Sequence, residues 1–178
     1  MIVGDEFYMK ITKIYFDMDG VLADFDRGIR ELCSMDPLPQ SEDQPVGYDD
    51  ELWSKVREAG HFYDKLELIP GTKELFDYVY GKYGDRCEIL TGIPKPRRDI
   101  ITAGEDKINW VRRLLSKDVV VNIVWREDKP DYCSGKDCIL IDDYALNITE
   151  WEQCGGTGIL FYDAESALEE LKKLENVF

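Results

Sequence analysis

Residues 15–25 read YFDMDGVLADF, and two aspartates, Asp17 and Asp19, stand there between apolar runs. The run KIYFDM (13–18), which ends just before Asp19, has the β-branched and aromatic residues typical of a buried strand. Gly20 follows, as it would in a turn. A carboxylate at the end of a buried strand costs free energy unless another group compensates for it. Other parts of the sequence are therefore needed to distinguish a simple turn from a catalytic or binding site.

Downstream of this stretch, strand-like and helix-like segments alternate. The further strands are CEILTG (87–92), VVVNIVW (119–125), CILIDD (138–143) and GTGILF (156–161). Apolar periodicity predicts helices over 70–84, 106–115, 147–156 and 164–174. The third of these opens on Asn147 with Glu150 three residues later, a capping-box-like start. Near-continuous apolar strands that alternate with helices predict an α/β fold, a parallel sheet covered on both faces.

Residues 24–68 interrupt this alternation. Two helix-like segments, DRGIRELCSM (26–35) and ELWSKVREA (51–59), flank a loop rich in proline and acidic residues. Long loops inside compact domains are usually functional, so we favour a small helical cap over an irregular connection. The predicted division is a core domain of residues 1–23 and 69–178 with a cap at 24–68.

Composition excludes several classes of protein. The formal net charge of −15 argues against a binding surface for duplex nucleic acid. No apolar run approaches the roughly 20 residues that span a bilayer, and the first ten residues lack signal-peptide features, so we expect a cytoplasmic protein without a membrane partner. The five cysteines are scattered and fit reduced thiols better than a zinc site. His61 is the only histidine, which excludes a site built on two histidines.

Polar residues lie at or just beyond the carboxyl ends of three predicted strands: Asp17 and Asp19, Thr91, and the pair Asp142 and Asp143. Ligands of parallel α/β sheets bind outside the carboxyl ends of the strands, so these side chains should converge. Each aspartate would be charged at neutral pH, and several at one edge need a cation. Oxygen ligands in a site with few histidines favour Mg²⁺.

The same residues carry a family resemblance. FDMDGVLADF resembles the first motif of the haloacid dehalogenase superfamily of phosphatases, ILTG its second and ILIDDY its fourth. HFYDKLELIPG, DKINWVRRLL and LIDDYALNITEWEQCGGTGILF narrow the resemblance to the cytosolic 5'(3')-deoxyribonucleotidase family. It implies a Rossmann-like three-layer sandwich, haloacid dehalogenase-like, with a cap inserted after the first strand. The implied activity is Mg²⁺-dependent hydrolysis of nucleoside monophosphates, in deoxyribonucleotide catabolism, through an aspartyl-phosphate.

Catalytic and metal-binding roles follow from the resemblance. Asp17 would be the nucleophile, and Asp19 would protonate the leaving alkoxide and then activate water. Mg²⁺ would be held by the Asp17 carboxylate, the Asp19 carbonyl and the pair Asp142 and Asp143. Which member of that pair binds the cation directly stays open.

The phosphate ligands of the family also have counterparts. Thr91 offers a hydroxyl and Gly92 a backbone amide, although the family often has serine at the latter position. Lys129 matches the third-motif lysine and is the preferred phosphate contact, with Lys107 as a second contact. Lys95 stands where the family carries a further lysine near the phosphate.

Three aromatic residues, Phe25, Phe62 and Tyr63, lie where the cap joins the core and could sandwich a nucleobase; packing between cap and core is the equal alternative. The family's aromatic loop around the base has no clear counterpart here, and Tyr48 or Trp53 could replace it. Other readings are the same chemistry on a sugar phosphate or a polynucleotide end, or a non-catalytic phosphate- or metal-binding module. Homodimer formation stays open.

Overall fold

Five parallel strands form the centre of the molecule. The structure is a computed structural model that describes residues 11–39 and 44–177. The strands are β1 (Lys13–Phe16), β2 (Cys87–Gly92), β3 (Val121–Val124), β4 (Cys138–Asp142) and β5 (Thr157–Leu160). Their order in the sheet is β3-β2-β1-β4-β5, with every neighbouring pair parallel. The predicted α/β fold with a parallel sheet is confirmed.

Helices connect these strands. They are α1 (Phe25–Cys33), α2 (Tyr48–Ala59), α3 (Thr72–Tyr83), α4 (Ala103–Leu114), α5 (Ala145–Gln153) and α6 (Ala164–Glu175). Between β3 and β4 the chain forms a 3₁₀ segment over Arg126–Tyr132 instead of an α-helix. The sequence pattern predicts no regular element here, and Pro130 inside the segment explains why no longer helix forms.

Alternate residues of the central strand face opposite layers. Ile14 and Phe16 of β1 belong to the large apolar core, which also contains residues of α3, α4 and α6. Tyr15 faces the other way and meets the Trp151 ring of α5 edge-on, with ring centroids 5.8 Å apart. Burial on both faces explains why the central strands are almost wholly apolar. The result is the expected three-layer sandwich.

The segment after β1 leaves and re-enters the core through a short paired neck. The Asp24 amide donates to the Glu67 carbonyl at 2.8 Å, and the Ile69 amide donates to the Leu22 carbonyl at 2.9 Å. Between these two points lie α1, α2 and a 3₁₀ turn over Tyr63–Lys65. The neck lies at the two ends of residues 24–68, and the division into a core and a cap stays a prediction.

This inserted segment packs against α4 of the core. The indole of Trp110 donates to the Leu66 carbonyl at 2.7 Å, and His61 Nδ1 lies 2.8 Å from Asp106 Oδ1. Part of the loop between α1 and α2, residues 40–43, lies outside the described residues, as do the first ten residues on which the absence of a signal peptide was judged. Among the described residues, no helix combines the length and apolar character needed to cross a membrane.

Candidate active site

Carboxylates gather at the carboxyl edge of the sheet. Asp17 directly follows β1, and its amide still donates to the Ile141 carbonyl at 2.9 Å, so its side chain emerges beside the end of β4. Oxygens of Asp17, Asp142 and Asp143 lie within 4.8 Å of one another. The structure thus brings together residues that are 125 positions apart in the chain, as the parallel topology requires.

Lys129 lies between two of these carboxylates. Its Nζ is 2.8 Å from Asp17 Oδ1 and 2.6 Å from Asp142 Oδ2, and only 3% of the side chain is exposed. Burial alone would lower the pKa of Lys129, but its attraction to Asp17 and Asp142 outweighs burial and raises the pKa. Lys129 is therefore a fixed cation in this cluster.

Lys107 occupies a second, separate position. Its buried Nζ donates to Asp19 Oδ2 at 2.6 Å, to Thr91 Oγ1 at 2.9 Å and to the Gly92 carbonyl at 2.6 Å. The same ammonium lies 4.6 Å from the centre of the Tyr63 ring. The two lysines that the sequence offered as competitors for one role therefore hold different aspartates, Lys129 with Asp17 and Lys107 with Asp19.

Asp19 has one carboxylate oxygen without a partner. Lys107 binds Oδ2, while Oδ1 is buried and has no hydrogen-bond partner among the described residues. Burial raises the pKa of Asp19; Lys107 opposes this shift and the charge of Asp17 adds to it. An unpaired buried oxygen with a raised pKa can carry a proton toward a bound ligand.

Asp142 is enclosed by donors. Its Oδ1 accepts from the Tyr144 amide at 2.9 Å, and both of its oxygens lie 3.0 Å from Asn147 Nδ2. Burial, and then Asp17, raise the pKa of Asp142, while Lys129 and the Tyr144 amide oppose that shift. The prediction that Asn147 opens a helix is wrong, because α5 begins at Ala145 and the Asn147 side chain serves Asp142 instead.

Asp143 is the more open member of the acidic pair. The residue is exposed, yet partial burial of its carboxylate, followed by repulsion from Asp17, Asp142 and Asp19, raises the pKa of Asp143 to about 8. The hydrogen bonds from Lys129, Asn147 and the Tyr144 amide all go to the Asp142 carboxylate and none of them goes to that of Asp143. Its oxygens are thus the more available of the pair for a cation.

Gly20 makes room for that carboxylate. Its φ of +75° is unfavourable for residues with a side chain, and a Cβ placed there would overlap the Asp143 carboxylate.

We expect Gly20→Ala to displace Asp143 and lower Mg²⁺ affinity by about 10-fold or more, measured by titration calorimetry without substrate. Gly84→Ala is the matched control, because Gly84 also has a positive φ, +57°, but a Cβ there meets nothing within 4 Å. Equal Mg²⁺ affinity in Gly20→Ala and wild type would contradict this role for Gly20.

The charges of the cluster fit a divalent cation. Among the described residues, two ammonium groups, those of Lys107 and Lys129, pair with the cluster of Asp17, Asp19, Asp142 and Asp143. When all are ionised, two negative charges remain at an edge built from oxygen atoms. Carboxylate and carbonyl oxygens are the ligands that Mg²⁺ prefers, so the residues present fit that ion.

The aromatic candidates pack on one another. The Phe25 ring centre lies 5.4 Å from that of Phe62 and 6.2 Å from that of Tyr63, and the latter two are 5.3 Å apart. Phe62 and Tyr63 are almost fully buried, and a Cβ on Gly28 would press on the Phe62 ring. For Phe62 and Tyr63 these contacts favour packing between cap and core over contact with a nucleobase. Phe25, in contrast, is partly exposed.

The remaining candidates lie apart from the acidic cluster. Lys95 forms an ion pair with Glu127 and lies 5.0 Å from the centre of the Trp125 ring. The Tyr48 hydroxyl bonds to the backbone at 36 and 38, and Trp53 donates to Asp49 at 2.7 Å. The guanidinium of Arg98, between β2 and α4, also lies 5.5 Å from the centre of the Trp53 ring.

Two polar residues at the site escaped the sequence prediction. Asn147 binds Asp142, and Arg126 in turn binds Asn147. The available signal was their spacing, because Asn147 stands five residues after Asp142 and Arg126 three residues before Lys129. The local sequence pattern favours a helix cap for Asn147, because such patterns contain no information on long-range contacts.

Comparison with known proteins adds an independent observation. Residues 10–173 match a family model described as "5' nucleotidase, deoxy (Pyrimidine), cytosolic type C protein". A search of curated proteins found no match. The assignment to a family rests on this model, which spans most of the chain.

Several solved structures are similar in outline. A hydrolase from Pseudomonas syringae has 16% identity and a TM-score of 0.47, over 93% of this chain and 99% of that one. A hydrolase from Streptococcus pneumoniae TIGR4 has 11% identity and a TM-score of 0.46, over 95% and 100%. A Had-superfamily hydrolase from Ehrlichia chaffeensis has 13% identity and a TM-score of 0.47, over 94% and 97%.

Proposed function

The chain belongs to the cytosolic-type deoxy-5'-nucleotidase family and is thus a phosphatase of the nucleotidase kind, and we propose that it hydrolyses nucleoside monophosphates with Mg²⁺ through an aspartyl-phosphate on Asp17. The reaction would take place in the cytosol, since the description of the family model includes the word cytosolic. The observation that carries this proposal is the separate placement of Asp17 and Asp19. Asp17 lies in the acidic cluster with Lys129, whereas Asp19 is held by Lys107 and its Oδ1 has no partner among the described residues.

Mg²⁺ would be held by the carboxylates of Asp17 and Asp143 together with the backbone carbonyl of Asp19. We assign the direct role to Asp143 and not to Asp142, because the Asp142 oxygens already accept bonds from Lys129, Asn147 and the Tyr144 amide. When bound, the cation neutralises charge on the phosphate oxygens and lets a carboxylate approach them.

In the first step, an Asp17 oxygen forms a bond to phosphorus while the bond from phosphorus to the ester oxygen breaks. Asp19 gives its proton to the departing alkoxide, which leaves as the nucleoside hydroxyl. The raised pKa of Asp19, caused mainly by burial, favours the protonated form that this step needs. Lys107 holds Oδ2, so Oδ1 is the oxygen available for the proton transfer.

In the second step, Asp19 takes a proton from water as the water oxygen attacks phosphorus. The bond between phosphorus and the Asp17 oxygen breaks, which releases inorganic phosphate, restores the Asp17 carboxylate and leaves Asp19 protonated for the next cycle. Throughout, Lys129 holds Asp17 in place, and the Thr91 hydroxyl and the Gly92 amide offer donors to the phosphate oxygens. Lys95 would join them only by leaving its partner Glu127.

For the nucleoside we propose Phe25 as the aromatic contact of the base. It follows the first motif directly and is partly exposed, while Phe62 and Tyr63 are buried beneath it. Base contact through Phe62 or Tyr63 would require the cap to shift.

A panel of phosphate monoesters tests the proposed function. We expect phosphate release from nucleoside 5'- or 3'-monophosphates in Mg²⁺, and less than about 1% of that rate with EDTA, since the loss of a catalytic metal removes several kcal/mol of charge stabilisation. Sugar phosphates and 5'- or 3'-phosphorylated oligonucleotides serve as competing substrates. Faster turnover of either would redirect the substrate assignment. Absence of release from every monoester would refute the phosphatase mechanism.

A further inference from the structure

Asn147 and Arg126 are polar residues at the site that neither contact the phosphate nor transfer a proton in the proposed reaction. Asn147 lies in the first turn of α5 and is 6% exposed. Arg126 opens the 3₁₀ segment that also carries Lys129. The two side chains join these elements behind the acidic cluster.

The orientation of the Asn147 amide decides what it does to Asp142. Nδ2 lies 3.0 Å from both Asp142 oxygens, so the NH₂ group faces the carboxylate. The reversed amide would turn its carbonyl oxygen toward a negative charge and lose both contacts. A neighbouring group must therefore hold the Asn147 amide with its NH₂ group toward Asp142.

Arg126 supplies that constraint. Its guanidinium donates to Asn147 Oδ1 at 3.0 Å and is itself held by Glu150, at 2.7 Å from Oε2 and 3.4 Å from Oε1. A guanidinium can only donate hydrogen bonds, so the Asn147 carbonyl must face Arg126 and its NH₂ group must face Asp142.

We propose that Arg126 and Asn147 are positioning residues that fix Asp142 as the acceptor for Lys129, and thereby fix Lys129 against the nucleophile Asp17. This inference rests on the proposed function for its effect on rate. The chain of contacts runs from Glu150 to Arg126, Asn147, Asp142 and Lys129, and each contact in it is 3.0 Å or shorter. Groups that orient the ligands of a metal or catalytic cluster typically change its activity by about 10–100-fold.

Kinetics of a double-mutant cycle test this arrangement. Arg126→Gln and Asn147→Ala are each expected to lower kcat by about 10–100-fold with KM nearly unchanged. The double variant should be no slower than Asn147→Ala, because both changes interrupt the same chain of contacts. Asn122→Ala is the control, since Asn122 in β3 is a partly buried amide with its own hydrogen bonds, to Glu88 and the Ile89 carbonyl. It should keep the wild-type kcat.

A spectroscopic measurement separates positioning from stability and does not depend on activity. The buried Lys129 ammonium should give a protected signal in a ¹H–¹⁵N spectrum of lysine side chains, assigned by its loss in Lys129→Met. Arg126→Gln, whose side chain is 37% exposed in the wild type and whose loss should leave the fold intact, is expected to shift that signal and leave the Lys107 signal in place. An unshifted Lys129 signal, or fully additive rate effects, would overturn the proposal. An inactive wild-type enzyme would refute the proposed function instead, and the spectrum would still decide the positioning.

Discussion

Asp17→Asn is expected to lower kcat for phosphate release by about 10⁴- to 10⁶-fold, the range seen when a member of a covalent catalytic unit is removed. An amide oxygen is a poor nucleophile, and the substitution also removes one carboxylate from the proposed cation site. The side chain keeps its size, so the apolar packing around this 7% exposed residue is retained. Initial rates in saturating Mg²⁺ and nucleoside monophosphate measure the effect.

Asp24→Asn is the matched control for that loss. Asp24 is seven residues along the chain and caps α1, where its side chain accepts from the Arg27 amide at 3.0 Å. Asparagine caps helices as well as aspartate does, so this variant should keep both stability and rate. Wild-type activity in Asp17→Asn, or an equal loss in Asp24→Asn, would remove Asp17 from the role of nucleophile.

Lys129→Met is expected to lower the free energy of unfolding by about 3–5 kcal/mol in EDTA, the cost of removing one partner from a buried ion pair. Two buried carboxylates, those of Asp17 and Asp142, would be left without the ammonium that lies 2.8 and 2.6 Å from them. Mg²⁺ should restore part of this loss, because a bound cation stabilises the folded state by mass action. Urea denaturation with EDTA or with Mg²⁺ measures both effects.

Lys95→Met provides the comparison, since Lys95 forms an exposed pair with Glu127. Exposed pairs contribute about 0–1 kcal/mol, so this variant should unfold almost as the wild type does. Equal stability of Lys129→Met and Lys95→Met would mean that Lys129 does not balance the charges of Asp17 and Asp142.

Strand ends were the part of the site that the sequence could predict. Apolar runs located β1, β2 and β4, and the topology of a parallel sheet places their carboxyl ends together. From that rule alone, Asp17, Thr91 and Asp142 were expected at one edge, and the structure brings them there.

Side-chain partners were not predictable in the same way. Both Lys107 and Lys129 could have been solvated lysines, and only the directions of α4 and the 3₁₀ segment send each toward its own aspartate. Asn147 had a good local explanation as a helix cap, which the contact with Asp142 overrides. Sequence periodicity reports which face of an element is buried, but it does not report which groups meet across that face.

Detection of a phosphorylated Asp17 tests the central claim most directly. The enzyme is mixed with ³²P-labelled nucleoside monophosphate and Mg²⁺, quenched in acid within one turnover, treated with borohydride, and digested for mass spectrometry. The account predicts acid-stable label on the quenched protein and reduction of Asp17 to homoserine in the peptide that contains residues 14–27. Phosphate release without labelled protein, or label on another residue, would contradict it.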